Sequence, residues 1–183
     1  MSKVKIAVLG KQGVGKSSLC LRYATGNFYQ DYQSTIGAAF FVKKVTVQNK
    51  LYVLNIWDTA GSERFDTYTK MYLRGAAFCL ICFESDSEVI ENIKKYEELC
   101  LEEDVEIVLV ATKQDMEHQP FLSEAKKYAE ARGYQLFCTS SLNDNGIKEL
   151  FAHIISRSSD LLEEPHIKLS FDESPDKKSK CCW

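Results

Sequence analysis

The sequence predicts an α/β domain built on a six-stranded, mostly parallel sheet, with one antiparallel edge strand and helices on both faces. Three observations carry that prediction. Strand-like apolar runs alternate with amphipathic stretches long enough to be helices, which is the spacing that crossovers between parallel strands require. Two neighbouring β-rich runs are separated only by Gln48-Asn49-Lys50, too short for a crossover, so that pair is expected to be a hairpin. Finally, 183 residues with 45% hydrophobic types suffice for one well-buried core, and two would be a squeeze.

Taken in order, Val4 to Leu9 reads as a buried strand, and Lys16 to Tyr23 as a helix stopped near Gly26. Phe40 to Val47 and Leu51 to Trp57 are the two arms of the hairpin. Ala76 to Phe83, Val105 to Val110 and Leu136 to Cys138 supply three further strands. Between them, Val89, Ile93, Tyr96 and Cys100 step by four, three and four along one helix face, while Glu91, Lys94, Lys95 and Glu98 form its solvated side. Ser123 to Arg132 is a shorter helix closed by Gly133, and Ile147, Leu150, Phe151, Ile154 and Ile155 make the apolar face of the last one. The domain is expected to occupy residues 1–160, with 161–183 as a flexible tail, because the stretch from Ser170 to Lys180 is charged and poor in apolar residues.

Composition narrows the function classes. Lys plus Arg number 23 against 26 Asp plus Glu, a formal charge of -3, which does not suggest a nucleic-acid binder. Apolar runs fall well short of the roughly 20 residues needed to cross a bilayer, and Ser2, Lys3 and Lys5 lead straight into a strand instead of an apolar leader, so neither a membrane-spanning nor a secreted protein is expected. Of the seven cysteines, Cys20, Cys79, Cys82, Cys100 and Cys138 lie in apolar or helical contexts and read as reduced thiols, apart from the terminal Cys181 and Cys182.

The sharpest local signal is Gly10-Lys11-Gln12-Gly13-Val14-Gly15-Lys16-Ser17, a G-x-x-x-x-G-K-[ST] loop between a buried strand and a helix. Its glycines let backbone N–H groups curl around phosphate oxygens, Lys16 brings a point charge to the terminal phosphates, and the Ser17 hydroxyl is placed to ligate Mg²⁺. The dinucleotide fingerprint G-x-G-x-x-G is not met by the spacing of Gly10 and Gly13. A second element, Trp57-Asp58-Thr59-Ala60-Gly61, places an acid at the end of a strand, where it holds Mg²⁺ opposite Ser17, while Gly61 offers an N–H to a γ-phosphate.

With these segments in place the chain resembles the small Ras-like GTPases, in particular the Rab branch, over about residues 4–156 and in its terminal cysteines. Trp57 to Phe65 is similar to the second switch of Rab proteins, and Ser34-Thr35-Ile36-Gly37-Ala38-Ala39-Phe40 to the first, its Ala-Ala-Phe ending being closest to the Rab5-like endosomal subgroup; Tyr72-Leu73-Arg74-Gly75-Ala76 fits the same branch. The resemblance implies the P-loop small GTPase fold, a monomeric G domain, GTP and GDP as ligands, and Mg²⁺. It implies that Gly13, Val14, Gly15, Lys16, Ser17 and Ser18 line the phosphates, that Ser17, Thr35 and Asp58 surround the metal, and that Phe28 packs against guanine. Phe40, Trp57 and Tyr72 become the aromatic cluster that effectors read.

Base recognition departs from the family pattern Asn-Lys-x-Asp, since the chain has Thr112-Lys113-Gln114-Asp115. Asp115 still distinguishes guanine and the Lys113 stem still covers it, but Thr112 lacks the reach of an amide. In Thr139-Ser140-Ser141-Leu142, Ser140 and the N–H of Ser141 serve the guanine O6 and Leu142 replaces a lysine. The catalytic set implied is Lys16, Thr35, Gly61 and Ser62. Ser62 stands where the family orients the attacking water with glutamine, and it is too short to do so. Gln12 crowds the same space. Intrinsic hydrolysis is therefore expected to run about ten- to a hundredfold below an already slow family rate.

Cys181-Cys182-Trp183 is not a C-a-a-X box but resembles Rab endings that carry two geranylgeranyl groups, with Lys177, Lys178 and Lys180 adding attraction to an anionic leaflet. The implied setting is the cytoplasmic face of an internal, endosomal membrane with a cytosolic pool. The implied partners are effectors, a guanine nucleotide exchange factor, a GTPase-activating protein, the prenylation machinery and a GDP-dissociation inhibitor. The reading is a Rab-like switch in vesicle traffic; its rival is a GTP-locked membrane scaffold that rarely cycles. A kinase built on the same loop would need an acceptor-binding lid, and the sequence shows none.

Overall fold

In a computed structural model the described residues are 1–30, 34–61 and 66–163, with the backbone alone described at 66–68 and 160–163. The strands are β1 (Ser2–Leu9), β2 (Ala38–Val47), β3 (Lys50–Thr59), β4 (Phe78–Phe83), β5 (Glu106–Ala111) and β6 (Gln135–Cys138); the helices are α1 (Lys16–Thr25), α2 (Asp66–Leu73), α3 (Val89–Cys100), α4 (Leu122–Arg132) and α5 (Ile147–Glu163). The sheet order is β2-β3-β1-β4-β5-β6, with β2 antiparallel to β3 and every other pair parallel. The predicted α/β architecture is thus the observed one.

Alternation along β1 explains why both faces are covered. Ile6 and Val8 point into a cluster with Leu19, Phe151 and Ile154, so α1 and α5 cover that face. Ala7 and Leu9 point the other way, toward Leu73, Ile93 and Ala125 of α2, α3 and α4. Each such fully buried Leu or Ile contributes about 1.5–3 kcal/mol relative to exposure. The hairpin turn is two residues, Gln48 and Asn49, with φ of 48° and 62°, the left-handed pair that matches strand twist.

Two features were not anticipated. Helix α2 has only Met71 and Leu73 as aliphatic residues in eight, too few to mark a face. In α3, Glu97 is buried at 3% exposure beside the solvated residues Lys94 and Glu98, because the hydroxyls of Tyr128 and Tyr134 and the Arg132 guanidinium converge on it. Among the described residues no helix is long and apolar enough to cross a membrane. Cys20, Cys79, Cys82 and Cys100 are buried free thiols and Cys138 is an exposed one.

The topology fixes where a ligand can sit. The chain passes from β1 to β3 on one side and then to β4 on the other, so the carboxyl end of β1 lies at the switch point of the sheet, where α/β folds open a crevice. Register aligns the neighbouring ends there, with Val8 opposite Asp58, Leu9 opposite Ile81, and Ala111 opposite both Phe83 and Cys138.

Candidate functional site

At that edge lies a cavity of about 870 Å³, lined by Gln12, Gly13, Gly15 to Ser18, Phe28, Thr35, Gly61, Thr112, Lys113, Asp115, Ser141 and Leu142. Gly10 starts the loop at φ 144°, and a side chain there would strike the carbonyl oxygen of Cys82 at 2.2 Å; only glycine lets the turn pass under β4. Gly15, at φ 96°, caps α1, so the free N–H groups of its first turn face the cavity. Lys16 is 5% exposed and its ammonium donates to the Lys11 carbonyl at 3.0 Å. Burial lowers the Lys16 pKa, opposed by the neighbouring Cys82, Asp58 and Cys20. An anion in the loop would restore what burial takes from the charged form.

Ser17, Thr35 and Asp58 meet below the loop. The Ser17 and Thr35 hydroxyl oxygens are 2.7 Å apart, and the Thr35 hydroxyl donates to Asp58 Oδ2 at 3.4 Å. Asp58 is fully buried, and its Oδ1 has no hydrogen-bond partner among the described residues. Burial raises its carboxyl pKa, while bonds from Ser17 and Thr35 and the Lys16 charge oppose the rise. A buried carboxylate with one unmet oxygen beside two hydroxyls is a hard, all-oxygen donor set, and it fits Mg²⁺. Gly61 packs on the loop itself: a side chain there would lie 2.4 Å from Gln12 N and 2.6 Å from Gly10 O. The Ala60 N–H donates to Gly37 O at 2.8 Å, tying the segment after β3 to the one before β2.

At the base end, Thr112 is buried at 3% exposure, its hydroxyl 2.5 Å from Val14 O and 2.9 Å from Phe83 O. Lys113 adopts φ 55° and its ammonium meets Glu84 Oε2 at 2.7 Å. Gln114 donates to Thr112 O at 3.0 Å and to Gln119 Oε1 at 3.1 Å, while Gln119 donates to Lys113 O at 3.1 Å. Phe28 is half-buried on the wall opposite. Val14 and Asp58 lie beneath the lining. Ser140 also lies behind it: its hydroxyl donates to Asp115 Oδ1 at 2.5 Å and its N–H to Asn145 O at 3.0 Å, so it braces the carboxylate and leaves Ser141 at the surface.

Outside the cavity, Phe40 and Trp57 are register partners with ring centroids 4.7 Å apart, and Trp57 and Tyr72 are 5.6 Å apart, so the three aromatics do form one cluster. Phe40 is half exposed, and Ile36 and Met71 beside the same segments are also exposed. Ser62, Cys181 and Cys182 lie outside the described residues. Sequence reasoning passed over Glu84, Gln119 and the cavity residues Tyr29 and Met116. Tyr29 could have been found as the aromatic adjoining Phe28; Glu84 and Gln119 act through tertiary contacts that no spacing rule marks.

Comparison with known proteins gives the family. The chain is 37% identical to the Ras-related protein Rab5 of Nicotiana tabacum, over 84% of its own length and 80% of the relative's. It is 35% identical to the Ras-related protein Rab-11B of Dictyostelium discoideum, over 83% and 72%, and 30% identical to the Ras-related protein Rab-7b of Bos taurus, over 98% and 96%. These relatives span several Rab subfamilies at similar identity, so the expectation of a Rab5-like chain broadens to relatedness across the branch. The model of the Ras family matches residues 5–160, from β1 into α5, and the chain belongs to that family, a small GTPase related to several Rab subfamilies.

Proposed function

We propose that this chain is a Rab-like switch that binds GTP with Mg²⁺, hydrolyses it slowly to GDP and phosphate, and regulates intracellular vesicle traffic. The observation that carries the reading is Asp58, fully buried with one unmet oxygen beside the Ser17 and Thr35 hydroxyls, at the phosphate end of the cavity. Such a carboxylate is costly to keep without a cation. Ser17, Thr35 and Asp58 would hold Mg²⁺, which would supply charge neutralisation to the bound phosphates.

The remaining roles fall to the chain's own groups. The loop N–H groups and Lys16 hold the phosphates, and Lys16 offsets charge that develops as water attacks the γ-phosphorus in line with the departing β-phosphate oxygen. Thr35 and Gly61 offer N–H groups to the γ-phosphate, so both segments loosen once it leaves. Asp115, braced by the Ser140 hydroxyl, reads the guanine N–H groups, Phe28, Lys113 and Leu142 enclose the ring, and the Ser141 N–H serves O6; Ser140, expected to share that contact, has both its donors engaged elsewhere. Residues 1–160 act as the G domain; 161–183, through lipidated Cys181 and Cys182, attach it to the cytoplasmic face of an internal membrane. An endosomal setting rests on Ala38-Ala39-Phe40 alone. Effectors reading Phe40, Trp57 and Tyr72, an exchange factor, an activating protein, the prenylation machinery and a GDP-dissociation inhibitor complete the cycle.

One observation favours the second reading, a GTP-persistent scaffold. The Gln12 amide donates to Ser34 Oγ at 3.1 Å and lines the cavity, narrowing the approach to the terminal phosphate. Binding of GDP, GTP and ATP with and without Mg²⁺, then single-turnover hydrolysis by the wild type and Ser62→Gln, tests both. Guanine nucleotides should bind selectively and with Mg²⁺ dependence, and glutamine should raise the rate about tenfold or more. Equal binding of ATP would overturn the base assignment. Similar, ordinary rates in both proteins would overturn the role given to Ser62.

A further inference from the structure

The base end of the cavity has two walls from distant parts of the chain. Phe28 follows the end of α1, and residues 139–146 join β6 to α5. Arg22, on the last turn of α1, reaches both. Its NH1 donates to Gly26 O at 2.7 Å, two residues before Phe28, and its NH2 donates to Leu142 O at 3.2 Å. Its Nε, fully buried and without a hydrogen-bond partner among the described residues, faces Asp144 Oδ1 at 3.5 Å. Asp144 itself stands at φ 62°, a conformation a non-glycine residue holds only when its surroundings impose it.

From Leu142 the connection runs directly to the base reader. The Asn143 N–H donates to Ser140 Oγ at 3.2 Å, and the Ser140 hydroxyl donates to Asp115. The planar, five-donor guanidinium suits this place, since it bonds two carbonyls and stands beside a carboxylate, whereas an ammonium is a point charge without that fork.

We propose that Arg22 is a positioning residue for nucleotide retention: it fastens both walls of the base pocket, so that displacing the segment after α1 also loosens the loop that steadies Asp115. A partner that pulls on this segment therefore weakens base binding without touching the base. The inference rests on the guanine-nucleotide reading above and deepens it.

The test compares dissociation of fluorescent GDP and GTP analogues from the full chain with Arg22→Lys, Arg22→Ala, Asp144→Asn and the Arg22→Lys/Asp144→Asn pair, alongside single-turnover hydrolysis and thermal unfolding without nucleotide. Arg22→Lys should raise both dissociation rates by a common factor of about five to ten, from the loss of one or more charge-assisted bonds. The single-turnover rate of GTP already bound should stay with the wild type. Asp144→Asn should act in the same direction, and the pair should be less than additive. If Arg22→Ala does not fold, Arg22→Lys still decides. A lowered unfolding temperature with unchanged dissociation would make Arg22 merely structural and overturn the inference alone. A wild type that retains no GDP would overturn the nucleotide reading with it.

Discussion

Replacing Thr112 by asparagine should tighten nucleotide binding, and the geometry sets the amount. The Thr112 hydroxyl has one proton and two carbonyls in reach, Val14 O at 2.5 Å and Phe83 O at 2.9 Å. Phe83 O already accepts the Thr112 N–H at 2.9 Å, so the proton belongs to Val14 O and ties the end of β5 to the phosphate loop. Asparagine brings two donors and an acceptor on a longer arm. Room exists toward Gly15, where an added side-chain carbon would stand 3.7 Å from Thr112 Cβ. Keeping the Val14 bond and adding one more is worth about 0.5–1.5 kcal/mol, or GDP dissociation slowed about 2- to 12-fold. Thr112→Val, of like shape, leaves Val14 O unpaired at about 1–3 kcal/mol, equivalent at most to dissociation about 5- to 140-fold faster. Part of either change falls on the fold, so unfolding temperature is measured beside the release of labelled GDP and GTP into excess unlabelled nucleotide. Unchanged release of both from Thr112→Asn would refute the reasoning.

Three further outcomes follow from the same geometry and from the tail. Asp58→Asn should abolish the Mg²⁺ dependence of nucleotide affinity while raising the melting temperature of the metal-free protein near neutral pH. The raised carboxyl pKa means that this group favours folding below the ordinary carboxylate range and loses that contribution as pH rises through its raised value, so the variant should also lose that pH slope; an unchanged slope would count against it. Gly61→Ala sets a side chain against backbone atoms of Gly10, Lys11 and Gln12 at 2.4–2.6 Å and should cost about 1–3 kcal/mol in denaturant unfolding; wild-type stability would show that the two segments do not pack. Changing both Cys181 and Cys182 to serine should move the protein from the membrane to the soluble fraction of cells, and either single change should do so only in part.

The fold was legible wherever chemistry and period coincided. Gly10 to Ser17 marks its own strand, turn and helix, because phosphate binding and chain reversal demand glycine at the same places, and α3 and α5 announce themselves through apolar faces. Helix α2 was silent because its eight residues carry no such stripe. Thr112 could be placed as an end-of-strand polar residue, but the two carbonyls that compete for its proton come from residues 98 and 29 positions away. Ser140 was legible as part of the base segment, yet its attachment to Asp115 depends on how β6 lies against β5. Glu97 shows the same limit, since its partners Tyr128, Tyr134 and Arg132 all arrive from beyond α3.

The hairpin has a thermodynamic consequence. Thr35 and Gly61 belong to loops that leave the same open end of β2 and β3, and the Ala60 to Gly37 bond joins them there at 2.8 Å. Two loops hung on independent supports would populate mixed arrangements, one ordered and the other loose, and a listener would receive a graded answer. Hung on one frame, they share a single free-energy difference, and the mixed arrangements carry an extra penalty. Cooperativity of this kind needs no second subunit and no distant site. In the switch proposed above, it would make the surface containing Phe40, Trp57 and Tyr72 report one bit.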